Sequence, residues 1–337
     1  MLTLNNHVQK VVSLIDFTAK STCYSPFSLM HALSILVKCS NDASIQELVS
    51  KLEFNELEMQ ELSQSLGNDS SVKLASNIFD IHTEKITKEF KELMLKQFSI
   101  VPENLVSAQQ VNNWCAKHTD NRIKEIVDSI AGLDNIIVSA IHFKAQWAYQ
   151  FDPYLTYQKQ FSGFHGVSTV QMMRLEQKVQ YGENEQVQVV RLPYMYSNLQ
   201  ALVILPTASS PEAFNAALSV ENINIPTFEA TTTLELPRFK IESTFNLKST
   251  LQQLGIKQIF DQVDCTNTLG STIQVQEIVQ KTFIETNENG TEAAAVTGIL
   301  QCACLMPEEF RTVECDRPFW FLIVNEVGGV VFATSVV

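Results

Sequence analysis

The sequence lacks most of the patterns that mark an enzyme. There is no Gly-x-Gly-x-x-Gly turn, no Walker phosphate loop, no Gly-x-Ser-x-Gly elbow and no His-Glu-x-x-His pair. Its six histidines are scattered without metal-ligand spacing, and its carboxylates form no obvious acid/base couple. No catalytic residue, metal or cofactor is therefore expected. Positive charge is scarce: 24 Lys and Arg against 37 Asp and Glu leave a net charge of -13. Polyphosphate partners need clustered cations, so nucleic acid is excluded and heparin-like chains are disfavoured. No run of 18 apolar residues is long enough for a membrane span. Met1–His7 has neither a basic stretch nor a long apolar core, so it is not a typical secretory signal. A cytoplasmic location, or secretion without a classical signal peptide, is the expectation.

Glycine and proline are also few, 11 and 10, and no Pro/Gly/Ser-rich linker or internal repeat divides the 337 residues. A single domain, 1–337, is expected, with 45% hydrophobic residues to fill a large core. The seven cysteines are odd in number and follow no framework spacing, which reads as free thiols in a reducing compartment. Cys302-Ala303-Cys304, with Cys315 downstream, is the single cysteine cluster. It lacks the second pair that zinc would want, and a redox-sensitive thiol is the more plausible alternative.

What the chain does contain is helix-rich early and strand-rich late. Ser25-Pro26 reads as an N-cap and first helical residue, opening a helix apolar nearly all round. Ser44-Ile45-Gln46-Glu47 reads as a capping box for a helix through Leu52. Further helices are predicted over Leu57–Leu66, Glu84–Phe98 and Val111–Ile130, the last with Ile123, Ile126, Val127 and Ile130 on one face. A final one covers Leu247–Leu254 and stops at Gly255. Strands are predicted over Ser71–Asp80, Asn135–Phe143, Val187–Leu192, Leu199–Leu205, Thr231–Leu236, Lys240–Glu242 and Ile273–Glu285. Without βαβ alternation the order favours an α+β fold.

The most distinctive stretch is Glu288-Asn289-Gly290-Thr291-Glu292-Ala293-Ala294-Ala295-Val296-Thr297-Gly298, a run of small residues between apolar strands. It resembles the reactive-centre hinge of a serpin. Other segments agree, in family order and over nearly the whole chain. Tyr24-Ser25-Pro26-Phe27-Ser28 resembles the family's Phe-Ser-Pro-x-Ser. Val111 to Ile123, with Asn112 and Trp114, resembles its Ile-Asn-x-Trp helix. Ser139 to Trp147 is similar to its Asn-x-Ile-Tyr-Phe-Lys-Gly-x-Trp strand. Leu192-Pro193-Tyr194, Leu236-Pro237-Arg238-Phe239 and Arg317-Pro318-Phe319 complete the series.

The resemblance implies three β-sheets, eight to nine helices, an exposed reactive-centre loop at about 288–309 and a protein that is not an enzyme. It implies a monomer that traps its target protease as a covalent acyl complex while the cleaved loop enters the central sheet. Insertion from Thr291 would put Thr291, Ala293, Ala295 and Thr297 on one face, all small and uncharged. Family spacing from Gly290 puts the scissile bond at Cys304-Leu305, with Met306 an alternative. These residues suit an elastase-, chymotrypsin- or cathepsin G-like protease, and no Arg, Lys or Asp occurs between Gly290 and Phe310 to attract trypsin-like enzymes or caspases. A non-inhibitory binding or chaperone-like serpin, and a cross-class inhibitor of a cysteine protease, remain alternatives.

The resemblance also nominates residues that control sheet opening: Ser25, Ser28, Ser139, Gln280, Trp147 and Arg238. Where the family usually has Asn and His, this chain has Ser139 and Gln280, and a direct Ser139–Gln280 pair is expected to replace them. Arg238 and Glu288 occupy positions that resemble a salt-bridged pair at the top of the sheet. Two glycosylation sequons occur, at Asn68 and Asn289, the second on the hinge itself.

Overall fold

The computed structural model describes residues 2–39, 43–53, 55–266, 268, 271–291 and 310–337. The chain opens with α1 (Leu2–Val12), the short strand β1 (Thr22–Tyr24) and α2 (Pro26–Cys39). Next come α3 (Ala43–Leu52), α4 (Glu56–Gly67), β2 (Val72–Asp80), α5 (Lys88–Phe98), β3 (Glu103–Asn104) and α6 (Ala108–His118). Strands follow: β4 (Asn135–Phe143), β5 (Ala145–Gln146), β6 (Tyr157–Gly163), β7 (Gly166–Glu183), β8 (Val187–Pro193) and β9 (Leu199–Pro206). After α7 (Pro211–Ala217) and α8 (Val220–Ile223) come β10 (Phe228–Pro237), β11 (Phe239–Asn246) and α9 (Lys248–Gln253). The remainder is β12 (Val263–Cys265), β13 (Ser271–Ile273), β14 (Ile278–Asn287), β15 (Gly290–Thr291), β16 (Phe310–Glu314), β17 (Phe319–Asn325) and β18 (Val330–Val336). Among the described residues these nine helices and three sheets form the expected α+β fold.

The seven-stranded sheet runs β3-β2-β4-β14-β15-β5, with β11 against the other edge of β14. Every residue of β4 is buried, as its largely apolar run predicts for a strand covered on both faces. One face packs on α2, which is buried along nearly its whole surface, Pro26 through Leu36. The other carries a separate cluster in which Val111 and Cys115 of α6 meet Phe79, Val138 and Phe283. The central sheet is thus the middle layer of a sandwich, and any strand added to it must slide between two cores.

Several sequence expectations are corrected. The helix predicted over Val111–Ile130 ends at His118. Asp120 and Asn121 take left-handed backbone angles. Asn112 then holds the following segment: its Oδ1 accepts from the N–H groups of Ile126 and Val127, and its Nδ2 donates to Val127 O. Ile123, Ile126 and Val127 are buried, but on a loop pinned by a side chain, which periodicity cannot distinguish from a helix. The capping box at Ser44–Glu47 is not one. Ser44 lies inside α3, and Glu47 Oε2 accepts from the N–H groups of Lys257 and Gln258, at the entrance to a distant 3-10 turn. The predicted Glu84–Phe98 helix begins at Lys88, capped by Thr87. The Ile273–Glu285 strand is broken into β13 and β14. Cys39 and Cys265 are joined in a disulfide, whereas Cys23, Cys115 and Cys315 are free and buried. Cys302 and Cys304 lie outside the described residues.

Candidate functional site

The hinge begins where β14 ends. Residues Glu288 and Asn289 turn the chain, and Gly290-Thr291 forms β15 between β14 and β5. Hydrogen bonds from Trp147 N–H to Asn289 O (3.0 Å) and from Phe151 N–H to Glu288 O (2.9 Å) continue the ladder upward. Below this point β14 pairs directly with β4 in parallel, from Ile278↔Ile137 to Phe283↔His142. The sheet is therefore parted at its top by two residues and closed beneath them.

Two side chains hold Thr291 there. Tyr194 Oη and Thr291 Oγ1 share a 2.7 Å hydrogen bond, and both residues are buried. Trp147 stacks on Tyr194 with ring centroids 4.6 Å apart and planes 13° from parallel, and its Nε1 donates to Asn287 O. Burial pushes the Tyr194 phenol well above its ordinary pKa, so it stays protonated and able to donate.

Gly290 is required by close approach. A Cβ there would lie 2.0 Å from Ala145 O and 2.7 Å from Gln146 Cα, both backbone atoms that cannot move cheaply. Gly290→Ala is expected to unzip β15 from β5. Hydrogen exchange at Thr291 and Trp147 should rise at least about tenfold, a local loss of about 1.4 kcal/mol. Unchanged protection at both amides would contradict this packing.

Beside the turn, Glu288 is 3% exposed. Its Oε1 lies 2.5 Å from Arg238 Nη2 and 2.7 Å from Arg238 Nε, and Thr156 Oγ1 also donates to it. Burial raises the Glu288 carboxyl, but the hydrogen bonds from Arg238 and Thr156 outweigh it and hold the pKa below its ordinary value. A depressed carboxylate stabilises the fold above its unfolded pKa of about 4.5, and that contribution disappears as pH falls through the lower folded value. Acid should therefore loosen this turn, seen as faster exchange at Phe151 N–H. Glu288→Gln should remove the pH dependence, and an identical acid response in that variant would exclude Glu288 as its source.

Lower down lies a polar knot in the core. Gln280 is fully buried. Its Oε1 accepts from Ser25 N–H (3.1 Å), and its Nε2 donates to Ser25 O (2.7 Å) and Ser28 Oγ (2.8 Å). Ser25 Oγ donates to Val331 O and accepts from Ser28 N–H, the expected N-cap of α2. Ser139 Oγ donates to Ser28 O (2.9 Å) and shares a hydrogen bond with Ser76 Oγ (3.0 Å). Gln280 and Ser139 are register partners across β14 and β4, yet no hydrogen bond joins their side chains. The expected direct pair is replaced by a link through Ser28, because the longer Gln280 side chain reaches the α2 backbone itself.

The structure thus brings Ser25, Ser28, Ser139 and Gln280 into one network and Trp147, Arg238, Glu288, Gly290 and Thr291 into another. Tyr194, Thr156 and Ser76 complete them. Tyr194 had a signal in its Leu-Pro-Tyr motif; Thr156 and Ser76 had none. Glu292, Ala293, Ala294, Ala295, Val296, Thr297, Cys304, Leu305 and Met306 lie outside the described residues. Phe310 pairs with Thr231 at the start of the parallel β10–β16 ladder.

The family model described as "Serpin (serine protease inhibitor)" matches residues 8–337. The chain belongs to the serpin family. This serpin is 31% identical to an uncharacterized serpin-like protein of Thermococcus kodakarensis, over 73% of the chain but only 60% of that relative's length. It is 30% identical to the leukocyte elastase inhibitor of Homo sapiens, over 91% of the chain and 90% of the relative. Among solved structures, human thyroxine-binding globulin in complex with thyroxine superposes with a TM-score of 0.86, covering 99% of this chain and 96% of that one at 23% identity. That last likeness concerns the fold alone. No helix among the described residues is long and apolar enough to cross a membrane.

Proposed function

We propose that this serpin inhibits serine proteases of the elastase, chymotrypsin or cathepsin G type by covalent trapping with loop insertion. The observation that carries the reading is the half-parted sheet: Gly290-Thr291 sits between β14 and β5 while β4 and β14 pair directly below. Insertion would exchange one ladder for two. Roughly ten additional backbone hydrogen bonds, at about 1 kcal/mol net each, supply on the order of 10 kcal/mol. That energy drags an acyl-linked protease before it deacylates. The first inserted side chain, Thr291, already points into the core, and the small residues Ala293, Ala295 and Thr297 follow at the two-residue spacing of a strand.

Incubation with pancreatic elastase, cathepsin G, chymotrypsin and a cysteine cathepsin, followed by denaturing gels and mass spectrometry, tests this. A covalent complex with at least one serine protease is expected, with a released C-terminal peptide starting at Leu305. Cleavage of the loop by all four enzymes, with no complex and no gain in thermal stability, would establish a non-inhibitory binding protein instead. A complex with the cathepsin alone would establish cross-class inhibition.

A further inference from the structure

Asparagine precedes glycine once in the chain, at Asn289-Gly290, where the turn after β14 enters the hinge strand β15. A glycine in second place leaves the amide nitrogen between the two residues unshielded, because no Cβ stands beside it. The asparagine side chain can then close on that nitrogen. In a folded protein this requires a free carboxamide, access of water and release of the glycine backbone.

The first two conditions are met here. Asn289 is half-buried and its main chain is held: its N–H donates to Asn287 Oδ1 (3.0 Å) and its O accepts from Trp147 N–H (3.0 Å). Its carboxamide makes no hydrogen bond among the described residues. Asn289 borders a cleft of about 460 Å³ that is also lined by Arg238, Lys240, Glu285 and Asn287. A side chain there turns without giving up a partner, and water reaches it. The third condition is intermittent. Gly290 is the register partner of Asn287 in the β14–β15 pair, so its backbone is engaged while β15 is seated. Reaction belongs to the moments when β15 is open, and a two-residue strand opens far more often than the whole protein unfolds.

We propose that Asn289 deamidates spontaneously through the open hinge, and that its isoaspartyl product keeps β15 from returning. The Gly290 nitrogen gives its proton to hydroxide and bonds to Asn289 Cγ. The Cγ–Nδ2 bond breaks, and Nδ2 leaves as ammonia with a proton from water. Water then opens the five-membered imide. Attack at Cγ gives aspartate. Attack at the backbone carbonyl carbon gives isoaspartate, whose main chain runs through Cβ and Cγ. The backbone between position 289 and Gly290 is then longer by one carbon, about 1.5 Å. The seat has no slack to absorb it, since even a Cβ on Gly290 would lie 2.0 Å from Ala145 O and 2.7 Å from Gln146 Cα. The carbonyl that accepts from Trp147 N–H also leaves the main chain, as a free carboxylate. Deamidation itself does not depend on protease trapping; its consequence for trapping, loss of insertion from Thr291, rests on the function proposed above.

The test is incubation of the full chain in mildly alkaline and mildly acidic buffer, followed by peptide mapping and enzymatic methylation of isoaspartate. Asn289 should be the fastest asparagine to deamidate, faster in alkali, with isoaspartate among its products. The modified chain, separated by ion exchange, should exchange the Thr291 amide at least about tenfold faster. Asn289→Asp, which adds the charge without the extra carbon, should keep the original protection. Thr291→Val loses the hydrogen bond to Tyr194 and should open β15 more often. Exchange at Trp147 N–H and deamidation of Asn289 should then rise by one common factor, on the order of five. An intact Asn289 while other asparagines react, or aspartate without isoaspartate, overturns the proposal. So does full protection of Thr291 in the modified chain, equal loss of protection in Asn289→Asp, or faster exchange in Thr291→Val without faster deamidation.

Discussion

If the protein traps proteases as proposed, Thr291→Arg is expected to turn it from inhibitor into substrate. The wild-type side chain is fully buried and hydrogen-bonded to Tyr194, so the hinge starts its course into the sheet with a polar group already satisfied. An arginine there would carry a charge into a pocket closed by Trp147 and Tyr194, with no acidic partner among the described groups hydrogen-bonded to Thr291. Burying an unpaired charge costs several kcal/mol. Only part of that penalty need appear in the insertion barrier to matter, since 1.36 kcal/mol is a factor of ten in rate. Insertion competes with deacylation, so a barrier raised by about 3 kcal/mol shifts the partition roughly a hundredfold towards release. Denaturing gels should show a cleaved chain and free protease in place of the covalent complex expected of the wild type. An undiminished complex yield would contradict insertion from Thr291. Thr291→Ser, which keeps the hydroxyl, should retain the wild-type behaviour.

Gln280→Leu should produce the largest loss of stability. The side chain has similar volume, so the change removes hydrogen bonds without opening a large cavity. It leaves Ser25 N–H without an acceptor and deprives Ser25 O and Ser28 Oγ of their amide donor, all within the core. Each stranded group costs about 1–3 kcal/mol, and a total of about 2–4 kcal/mol is expected from a shift of the denaturant midpoint. Because Gln280 ties β14 to α2, the variant should also part β4 from β14 more readily, seen as faster exchange at Ser139 and Val279. A destabilisation below about 0.5 kcal/mol would show that the knot is structurally idle. Double-mutant cycles separate its links. Coupling of Gln280 to Ser28, which are in contact, should exceed coupling to Ser139, which is reached only through Ser28. Equal couplings would restore the direct pair that the sequence suggested.

Legibility followed the range of the interaction. Strand β4 was readable to the residue because six apolar residues in nine, between the charged Asp134 and Lys144, fit a strand in a central layer. The start of α2 was readable because a cap and a proline act on their own neighbours. The long hairpin β6–β7 went unread. Much of β7 is exposed and polar, so burial imposes no clear alternation on its sequence. The loop after α6 was misread because Asn112, a helix residue by pattern, spends its amide on backbone groups of Ile126 and Val127. Glu47 was misread for the same kind of reason: its carboxylate serves N–H groups some 210 positions away.

The sequence by itself determined the family and the run of small residues after Gly290, because these depend on local order and spacing. It also placed Arg238 and Glu288 in the positions where they meet. Tertiary structure alone decided that Gly290-Thr291 lies between β14 and β5, and that Gln280 answers to Ser25 and Ser28 rather than to Ser139. It decided that Cys39 lies against Cys265, and that Gly290 has no room for a methyl group. Each of those is a contact between segments far apart in the chain, such as the 255 positions separating Ser25 from Gln280. A side chain's partner at that range is fixed by which backbone arrives beside it, and only the assembled sheet brings that backbone there.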